Sequence, residues 1–133
     1  MKKIILPMLL LGLSAPVFGQ SIVVVSPGAK DSGALPVAYE ELRTGRNAAA
    51  IAHLTTTDAV AANDPARLIN LGTAYARTGR SDQAAAMYRA AIYSPVRYDL
   101  ELANGSYVDS RWAARTALGQ LRAGRPVLAL AAQ

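Results

Sequence analysis

The chain has 133 residues, with 14 Lys and Arg against 9 Asp and Glu, one His and no Cys. This length accommodates one small domain rather than two. The absence of Cys excludes disulfides, a thiolate nucleophile and cysteine-ligated zinc or iron–sulfur centres, and a single His excludes a site that needs two imidazoles from one chain. Because 52% of the residues are hydrophobic but only 6% are aromatic, we expect helices that pack closely on small side chains.

The N-terminus has the three-part layout of a secretory signal peptide. A basic start, Met1-Lys2-Lys3, is followed by an apolar run at 4–13 and by small residues at 14–19, as in exported proteins. The run is shorter than the roughly 20 residues that a membrane-spanning helix needs. We therefore predict a signal peptide at 1–19, cleavage near Gly19 and Gln20, a periplasmic or secreted protein, and no stable membrane span after cleavage. An uncleaved, membrane-anchoring N-terminus is the alternative.

The charge pattern does not favour nucleic acid as a partner. Removal of Lys2 and Lys3 with the signal peptide leaves 12 basic against 9 acidic residues, a balance of +3. No run of five or more like charges occurs, so the electrostatic footprint of a nucleic-acid-binding protein is missing from the sequence.

A tetrapeptide recurs at an interval of 34 residues. Residues 43–46 read Arg-Thr-Gly-Arg, and the same four residues return at 77–80. An Ala-rich stretch with helical patterning follows each copy. A period of 34 residues is typical of helix–turn–helix repeats, which bury their apolar faces only by stacking on one another.

The second copy has clear predicted helix boundaries. Asp64 is expected to cap a helix that begins with Pro65, and Gly79 is expected to end it in the left-handed conformation. Ser81 is predicted to cap the next helix, which ends at Ser94 before a proline. The expected inward-facing residues are Leu68, Leu71, Gly72 and Tyr75 on the first helix, and Ala84, Met87, Tyr88 and Ala91 on the second.

Together with Gly79 and apart from Met87, these residues resemble the tetratricopeptide repeat (TPR) pattern of large and small side chains at fixed offsets. The match is specific over 65–95 and degenerate over 31–63, where Ala38, Gly45, Ala50 and Leu54 fit but Glu41 stands in place of an aromatic residue. The resemblance implies a mainly α fold, in which antiparallel helix pairs stack into an α–α superhelix. It also implies a role in binding other proteins.

Residues 97–109 interrupt the helical period. Apolar and polar residues alternate up to Ala103, and Asn104-Gly105 follows, which predicts a β-hairpin with a two-residue type I′ turn. Leu102 is expected opposite Tyr107. One face would then carry Tyr98, Leu100, Leu102 and Tyr107, and the other Asp99, Glu101 and Val108. Since a lone hairpin is marginally stable, it should dock on the helices or on a strand from 22–25; an irregular loop is the alternative.

A last helix is predicted at 110–123. Asp109 and Ser110 supply its cap, and its packing face is expected to contain Trp112, Leu118 and Leu121. Its end at Gly124 resembles the two earlier boundaries and suggests a partial third repeat, displaced by the hairpin. The domain plan is a signal peptide at 1–19, an extended segment at 20–34, a TPR-like helical domain at 35–125 and a tail at 126–133.

Catalytic chemistry has little support in the sequence. The only imidazole, His53, lies on a predicted helix, and Asp99 and Glu101 share one face of a predicted strand. Such a carboxylate pair can serve acid–base chemistry or a divalent cation, but is more often solvated. Gly-rich phosphate-binding motifs are absent. We predict no cofactor, no metal site and no catalytic residue. The repeated arginines suit helix C-termini, with an anion-attracting edge as the alternative.

The TPR resemblance places a binding groove along the first helix of each pair. The groove positions it implies are Leu35, Tyr39, Leu42 and Arg43 in the first copy, and Ala66, Ile69, Thr73 and Arg77 in the second. Family members that hold a terminal carboxylate use Lys and Asn at positions occupied here by Leu35 and Tyr39, so that binding mode is not expected.

The resulting hypothesis is a non-catalytic, exported interaction module or scaffold with a protein or peptide partner in the cell envelope. Fewer than three good repeats are marginal in stability, so we expect a homodimer, docking on a partner, or capping by the hairpin and last helix. Two alternatives stay open. One is an assembly factor for envelope, pilus or secretion machinery that uses the hairpin edge. The other is a metal-dependent hydrolase that uses Asp99, Glu101 and His53.

Overall fold

The computed structural model describes residues 24–25, 37–58 and 60–124. The predicted signal peptide, Leu35 and the predicted tail at 126–133 lie outside these residues. In chain order the elements are β1 (Val24–Val25), α1 (Tyr39–Arg43), α2 (Asn47–Thr56), α3 (Pro65–Arg77), α4 (Ser81–Tyr93), β2 (Asp99–Leu102), β3 (Tyr107–Asp109) and α5 (Ser110–Arg122). The described chain is mainly helical with a small antiparallel sheet in the order β1–β2–β3, which confirms this part of the predicted fold class. None of these helices is long and apolar enough to cross a membrane.

Helices α3 and α4 form a tight antiparallel pair. Asp64 caps α3 as predicted, because its side chain accepts a hydrogen bond from the Arg67 N–H at 3.0 Å. Gly79 ends the helix with a φ of +77°, a left-handed conformation that favours glycine. The seam between the helices contains small residues, and Gly72, Ala84 and Ala91 are buried there as expected. The predicted Ser81 cap is wrong: Arg80 is the N-cap of α4 and no side chain caps it, because the helix already includes Ser81.

Helices α1 and α2 form the shorter first pair. Ala50 and Leu54 are fully buried at the positions equivalent to Ala84 and Tyr88 of the second pair, so the 34-residue period extends to packing. The left-handed turn also recurs, since Gly45 has a φ of +74°. Helix α1 has only five residues, which agrees with the weaker pattern of the first copy.

The hairpin forms at the predicted place but in a different register. Leu100 lies opposite Val108 and Glu101 opposite Tyr107. Leu102 exchanges hydrogen bonds across a three-residue loop, with its N–H donating to the Ser106 carbonyl and its carbonyl accepting from Gly105. The predicted two-residue turn is therefore wrong. Because a slip of one residue exchanges the two faces of a strand, Val108 joins the apolar face and Tyr107 moves to the polar one. As anticipated, the valine-rich N-terminal run supplies a third strand, with Val24 opposite Leu102.

Helix α5 closes the core. Asp109 caps it by accepting a hydrogen bond from the Trp112 N–H at 3.0 Å. Its inward face is small rather than aromatic, with Ala113, Ala114 and Ala117 fully buried. Trp112, which the sequence analysis placed on the packing face, is 45% exposed. Small residues at the contact let α5 lie close to α4 and α3, and one continuous core results.

Candidate interaction surface

Most residues of the predicted groove are core residues. Leu42, Ile69 and Thr73 are buried, and Thr73 Oγ1 lies 3.2 Å from the Tyr88 hydroxyl inside the α3–α4 seam. Ala66 is equally buried. These residues therefore do not line a groove. The physical reason is that α3 is in contact with β1 and with all four other helices, so the chain itself covers the face that the family resemblance assigned to a ligand.

The remaining predicted groove residues differ in burial and in the groups they contact. Arg77 is half-buried, and its Nη1 donates to the Leu42 carbonyl at 2.7 Å and to Asn47 Oδ1 at 3.4 Å. Burial lowers the pKa of its guanidinium. Arg43 is exposed and forms a salt bridge with Glu40 at 2.9 Å. Tyr39 is half-buried against the core. Arg77 is thus a structural link between the two helix pairs, and the set does not form one binding site.

Asn70 is a further polar link that the sequence analysis missed. It is fully buried in α3, and its Nδ2 donates to the Val37 carbonyl at 2.7 Å. This bond fixes the chain just before α1, where Ala38 adopts a φ of +55°. An amide within the otherwise apolar run at 68–71 was the available signal, since a buried polar group needs a partner.

The structure does not bring His53 to Asp99 and Glu101. His53 Nδ1 lies 3.1 Å from Glu41 Oε1, where the imidazole ties α2 to α1. A hydrogen bond from the backbone at Glu41 is the largest cause that lowers the pKa of its carboxyl, and the bond to His53 adds to it. Within the part of the chain that the structure describes, no group of His, Asp and Glu side chains has the arrangement of a metal site.

The outer face of the hairpin combines carboxylates with an exposed aromatic residue. Glu101 and Tyr107 lie directly opposite each other on this face, and Asp99 and Asp109 form the next pair with the same orientation. Tyr107 is 61% exposed, and Trp112 follows in the first turn of α5. We call this set the hairpin surface; its residues are Arg97, Asp99, Glu101, Tyr107, Asp109 and Trp112.

Asp109 holds the hairpin surface together. Its Oδ1 accepts from the Trp112 N–H, and its Oδ2 accepts from Arg97 Nε at 2.6 Å. The hydrogen bond from Arg97 is the main cause that lowers the pKa of the Asp109 carboxyl. The charge-assisted bond with Arg97 and the capping bond with the Trp112 N–H fix the chain before β2 and the first turn of α5. The neighbouring aromatic residues are therefore presented by an ordered frame.

Tyr98 joins this frame to the helices. Its hydroxyl donates to Asp64 Oδ2 at 2.8 Å, next to the cap of α3. Arg111 Nη2 donates to the Ser94 carbonyl at 3.1 Å, and Ser94 Oγ donates to the Asn63 carbonyl at 2.6 Å. The hairpin, the start of α3, the end of α4 and the start of α5 are thus connected at one end of the helical layer.

Comparison of the chain with protein-family models, with curated proteins and with solved structures finds no match.

Proposed function

We propose that this chain is a non-catalytic protein-binding module and that the hairpin surface is its binding site. The observation that carries the proposal is the exposure of Tyr107 and Trp112 beside the Arg97–Asp109 ion pair. Tyr, Trp and Arg are the residue types that contribute most of the binding energy at protein interfaces. Exposed aromatic rings on an ordered frame lose little conformational entropy when a partner covers them.

The TPR-like architecture belongs to the same proposal. Helix α3 packs on α2 and α1, and α5 packs on α4 and α3, so each first helix of a pair contacts the two helices before it. This recurrence supports a short stack of helix pairs in which α5 begins a third repeat. In such a scaffold the inserted hairpin is the binding element, because the face of α3 that would line a groove is already covered.

Export completes the proposal. The basic, apolar and small-residue segments of the first nineteen residues support a signal peptide, and a partner would then be a protein or peptide of the cell envelope. The proposed action is to hold that partner without covalent chemistry.

Strand addition at the hairpin edge is the second candidate. β3 is an outer strand, and the pairing of Leu100 with Val108 turns the Tyr107 N–H and carbonyl away from β2. This observation favours a partner's strand beside β3. However, β3 has three residues and α5 begins at once after it, so few backbone groups are offered. The exposed side chains are therefore the stronger basis for binding.

Affinity capture with matched variants tests the proposed function. The full chain, Tyr107→Ala, Trp112→Ala and the control Tyr93→Ala are used as baits with envelope extract. Tyr93 is 82% exposed at the end of α4 but does not belong to the hairpin surface. We expect one protein that the unaltered chain and Tyr93→Ala retain equally and that the two hairpin variants retain at least tenfold less. Equal retention by all four baits, or no protein above an unrelated bait, would overturn the proposal.

A further inference from the structure

The molecule has two chemically different ends. The α3–α4 turn with Gly79 lies at one end, whereas Asn63, Ser94 and the start of the hairpin meet at the other. The α1–α2 turn lies at the Gly79 end, because Arg77 bonds to the carbonyl of Leu42. Since α5 starts beside Ser94 and packs along α4, it also finishes at the Gly79 end. Helices of thirteen residues separate the two ends by about 20 Å.

The Gly79 end is rich in exposed arginine. Arg46, Arg80 and Arg122 are exposed there, and none of them forms a salt bridge within the described residues. We call these three residues the arginine end. Of the acidic residues nearby, Glu40 pairs with Arg43 and Glu41 with His53. Asp82, in the first turn of α4, is exposed and forms no salt bridge within the described residues. The Arg80 guanidinium lies over the Tyr75 ring, 5.8 Å from its centre. This ring is neutral, so Arg80 and Arg122 both keep their charges without an acidic partner among the described residues.

The hairpin surface has the opposite character. Asp109 is neutralised by Arg97, but Asp99 and Glu101 form no salt bridge within the described part of the chain. The hydrogen bond with Asp109 is the main cause that raises the pKa of the Arg97 guanidinium, and the nearby charge of Asp99 adds a smaller contribution. Two carboxylates, one of them directly opposite the exposed Tyr107, are a suitable contact for guanidinium groups, which pair with carboxylates and stack on ring faces.

We propose that the arginine end of one copy of this chain docks on the hairpin surface of the next copy. The inference rests on the proposed function and names its partner as a second copy. The two ends of one molecule carry complementary charges, exposed guanidinium groups at one and exposed carboxylates at the other. Contact between two hairpin surfaces would instead place Asp99 and Glu101 of both copies together, and like charges at an interface are unfavourable. The net charge is +5 for the full chain and +3 without residues 1–19. Copies therefore repel one another in general, so association requires the opposite ends to be aligned.

When two copies dock in this way, one arginine end and one hairpin surface remain free. A heterologous contact of this kind extends into a chain of copies unless the rotation closes a ring. The attraction comes from exposed charges, so it should weaken as salt concentration rises. The expected behaviour is reversible, concentration-dependent assembly rather than a fixed dimer.

Sedimentation velocity on the full chain tests the inference with two blocked variants. Asp99→Lys combined with Glu101→Lys blocks the hairpin surface, and Arg80→Ala combined with Arg122→Ala blocks the arginine end. We expect the sedimentation coefficient of the unaltered chain to rise with concentration and each variant alone to sediment as a monomer. An equimolar mixture should form a 1:1 dimer that grows no further, because only one productive contact is available. The control Arg89→Ala, an exposed position on the flank of α4, should assemble like the unaltered chain.

Three results would overturn the inference: a monomer at all concentrations, assembly that persists in either blocked variant alone, or a mixture that stays monomeric. Circular dichroism of each variant verifies that it is folded. The proposed function fails separately. If the unaltered chain is monomeric but the Tyr107 and Trp112 variants still lose a captured envelope protein, the self-association is wrong and the binding role stands. If neither assembly nor capture depends on the hairpin surface, both are wrong.

Discussion

Gly72 shows how a single residue sets the distance between α3 and α4. A Cβ atom at this position would lie 2.7 Å from Tyr88 Cε1 and 2.9 Å from Cδ1. The Tyr88 ring cannot move away easily, because it is fully buried and its hydroxyl contacts Thr73. The requirement at Gly72 is therefore steric, since its φ is that of an ordinary helix.

We predict that Gly72→Ala destabilises the chain although alanine is the better helix former. Overpacking of a closed core costs roughly 1–3 kcal/mol, which exceeds the gain of about 0.5–1 kcal/mol from replacing a helical glycine. Gly119 of α5 is the matched control, since a Cβ there meets nothing within 4 Å. Urea unfolding should show a lower midpoint for Gly72→Ala and an equal or higher one for Gly119→Ala. A higher midpoint for both would contradict the close seam.

Tyr88 makes the stability of the chain sensitive to alkaline pH. Burial raises the pKa of its phenol from 10.0 to about 12. The unfolded chain therefore loses this proton at lower pH than the folded chain does. The stabilising contribution is complete below pH 10 and is lost as the pH rises towards and through 12.

We predict that the free energy of unfolding falls between pH 10 and pH 12 by an amount that Tyr88→Phe reduces. The phenylalanine variant has no proton to lose, so its own curve should be flatter over this interval, although it starts lower because the contact with Thr73 is absent. Urea unfolding at a series of pH values measures both curves. Parallel curves for the two proteins would show that Tyr88 is not buried as described.

At the scale of elements, Arg77 couples the two helix pairs. The same residue type occupies the same place in both tetrapeptides, yet Arg43 is exposed whereas Arg77 is half-buried against the end of α1. At the end of α1 the Leu42 carbonyl accepts from the Gly45 N–H at 3.2 Å, and its second lone pair remains for another donor. The Arg77 guanidinium of the next pair is this second donor, at 2.7 Å.

We predict that Arg77→Ala is clearly destabilising and that Arg43→Ala is nearly neutral. Loss of a partly buried, charge-assisted hydrogen bond costs about 1–3 kcal/mol, whereas Arg43 and Glu40 form a solvent-exposed pair on one helix. Thermal unfolding of the two variants provides the comparison at matched sequence positions. Equal melting temperatures would mean that the 34-residue period does not reflect different roles in packing.

The hairpin shows which part of an element local sequence determines. Alternating residues around Asn104-Gly105 were sufficient to predict two strands. The loop length was not predictable, because Asn-Gly also fits a three-residue loop in which only Gly105 takes a positive φ, here +82°. The choice depends on whether Val108 or Tyr107 faces the helices, which is a tertiary contact. Asn104 then accepts from the Ser106 N–H at 3.0 Å and stabilises the longer loop.

In the candidate site too, local sequence predicted some features, whereas others depend on tertiary contacts. Helix positions, caps and glycine turns came from local chemistry, and the structure agrees with most of them. The predicted groove is wrong. It was assigned by resemblance, whereas the packing of β1 and α5 on α3, which covers it, depends on contacts distant in sequence. The exposure of Trp112 was missed for a similar reason: alanines on α5 fill the inward positions, so the large residue lies outside the core.

At the scale of the whole molecule, the helices share one core instead of forming separate repeats. Leu54 of α2 and Ala117 of α5 belong to the same cluster of buried residues. The first pair has a five-residue helix, too short to be stable alone. The second pair therefore has to stabilise the first, and the chain should unfold as one cooperative unit.

We predict that Leu54→Ala in α2 lowers the midpoint of unfolding that a probe in α5 reports, although the two helices lie at different sides of the core. A buried Leu→Ala change costs about 2–5 kcal/mol. Trp112 is the only tryptophan of the chain, so its fluorescence reports on α5, while far-UV circular dichroism reports on all helices. Both signals should show one transition at the same lowered midpoint. The exposed neighbour Thr55→Ala should leave both within about 0.5 kcal/mol of the unaltered chain. A fluorescence transition that stays in place while the dichroism signal shifts would mean that α2 and α5 belong to independent units.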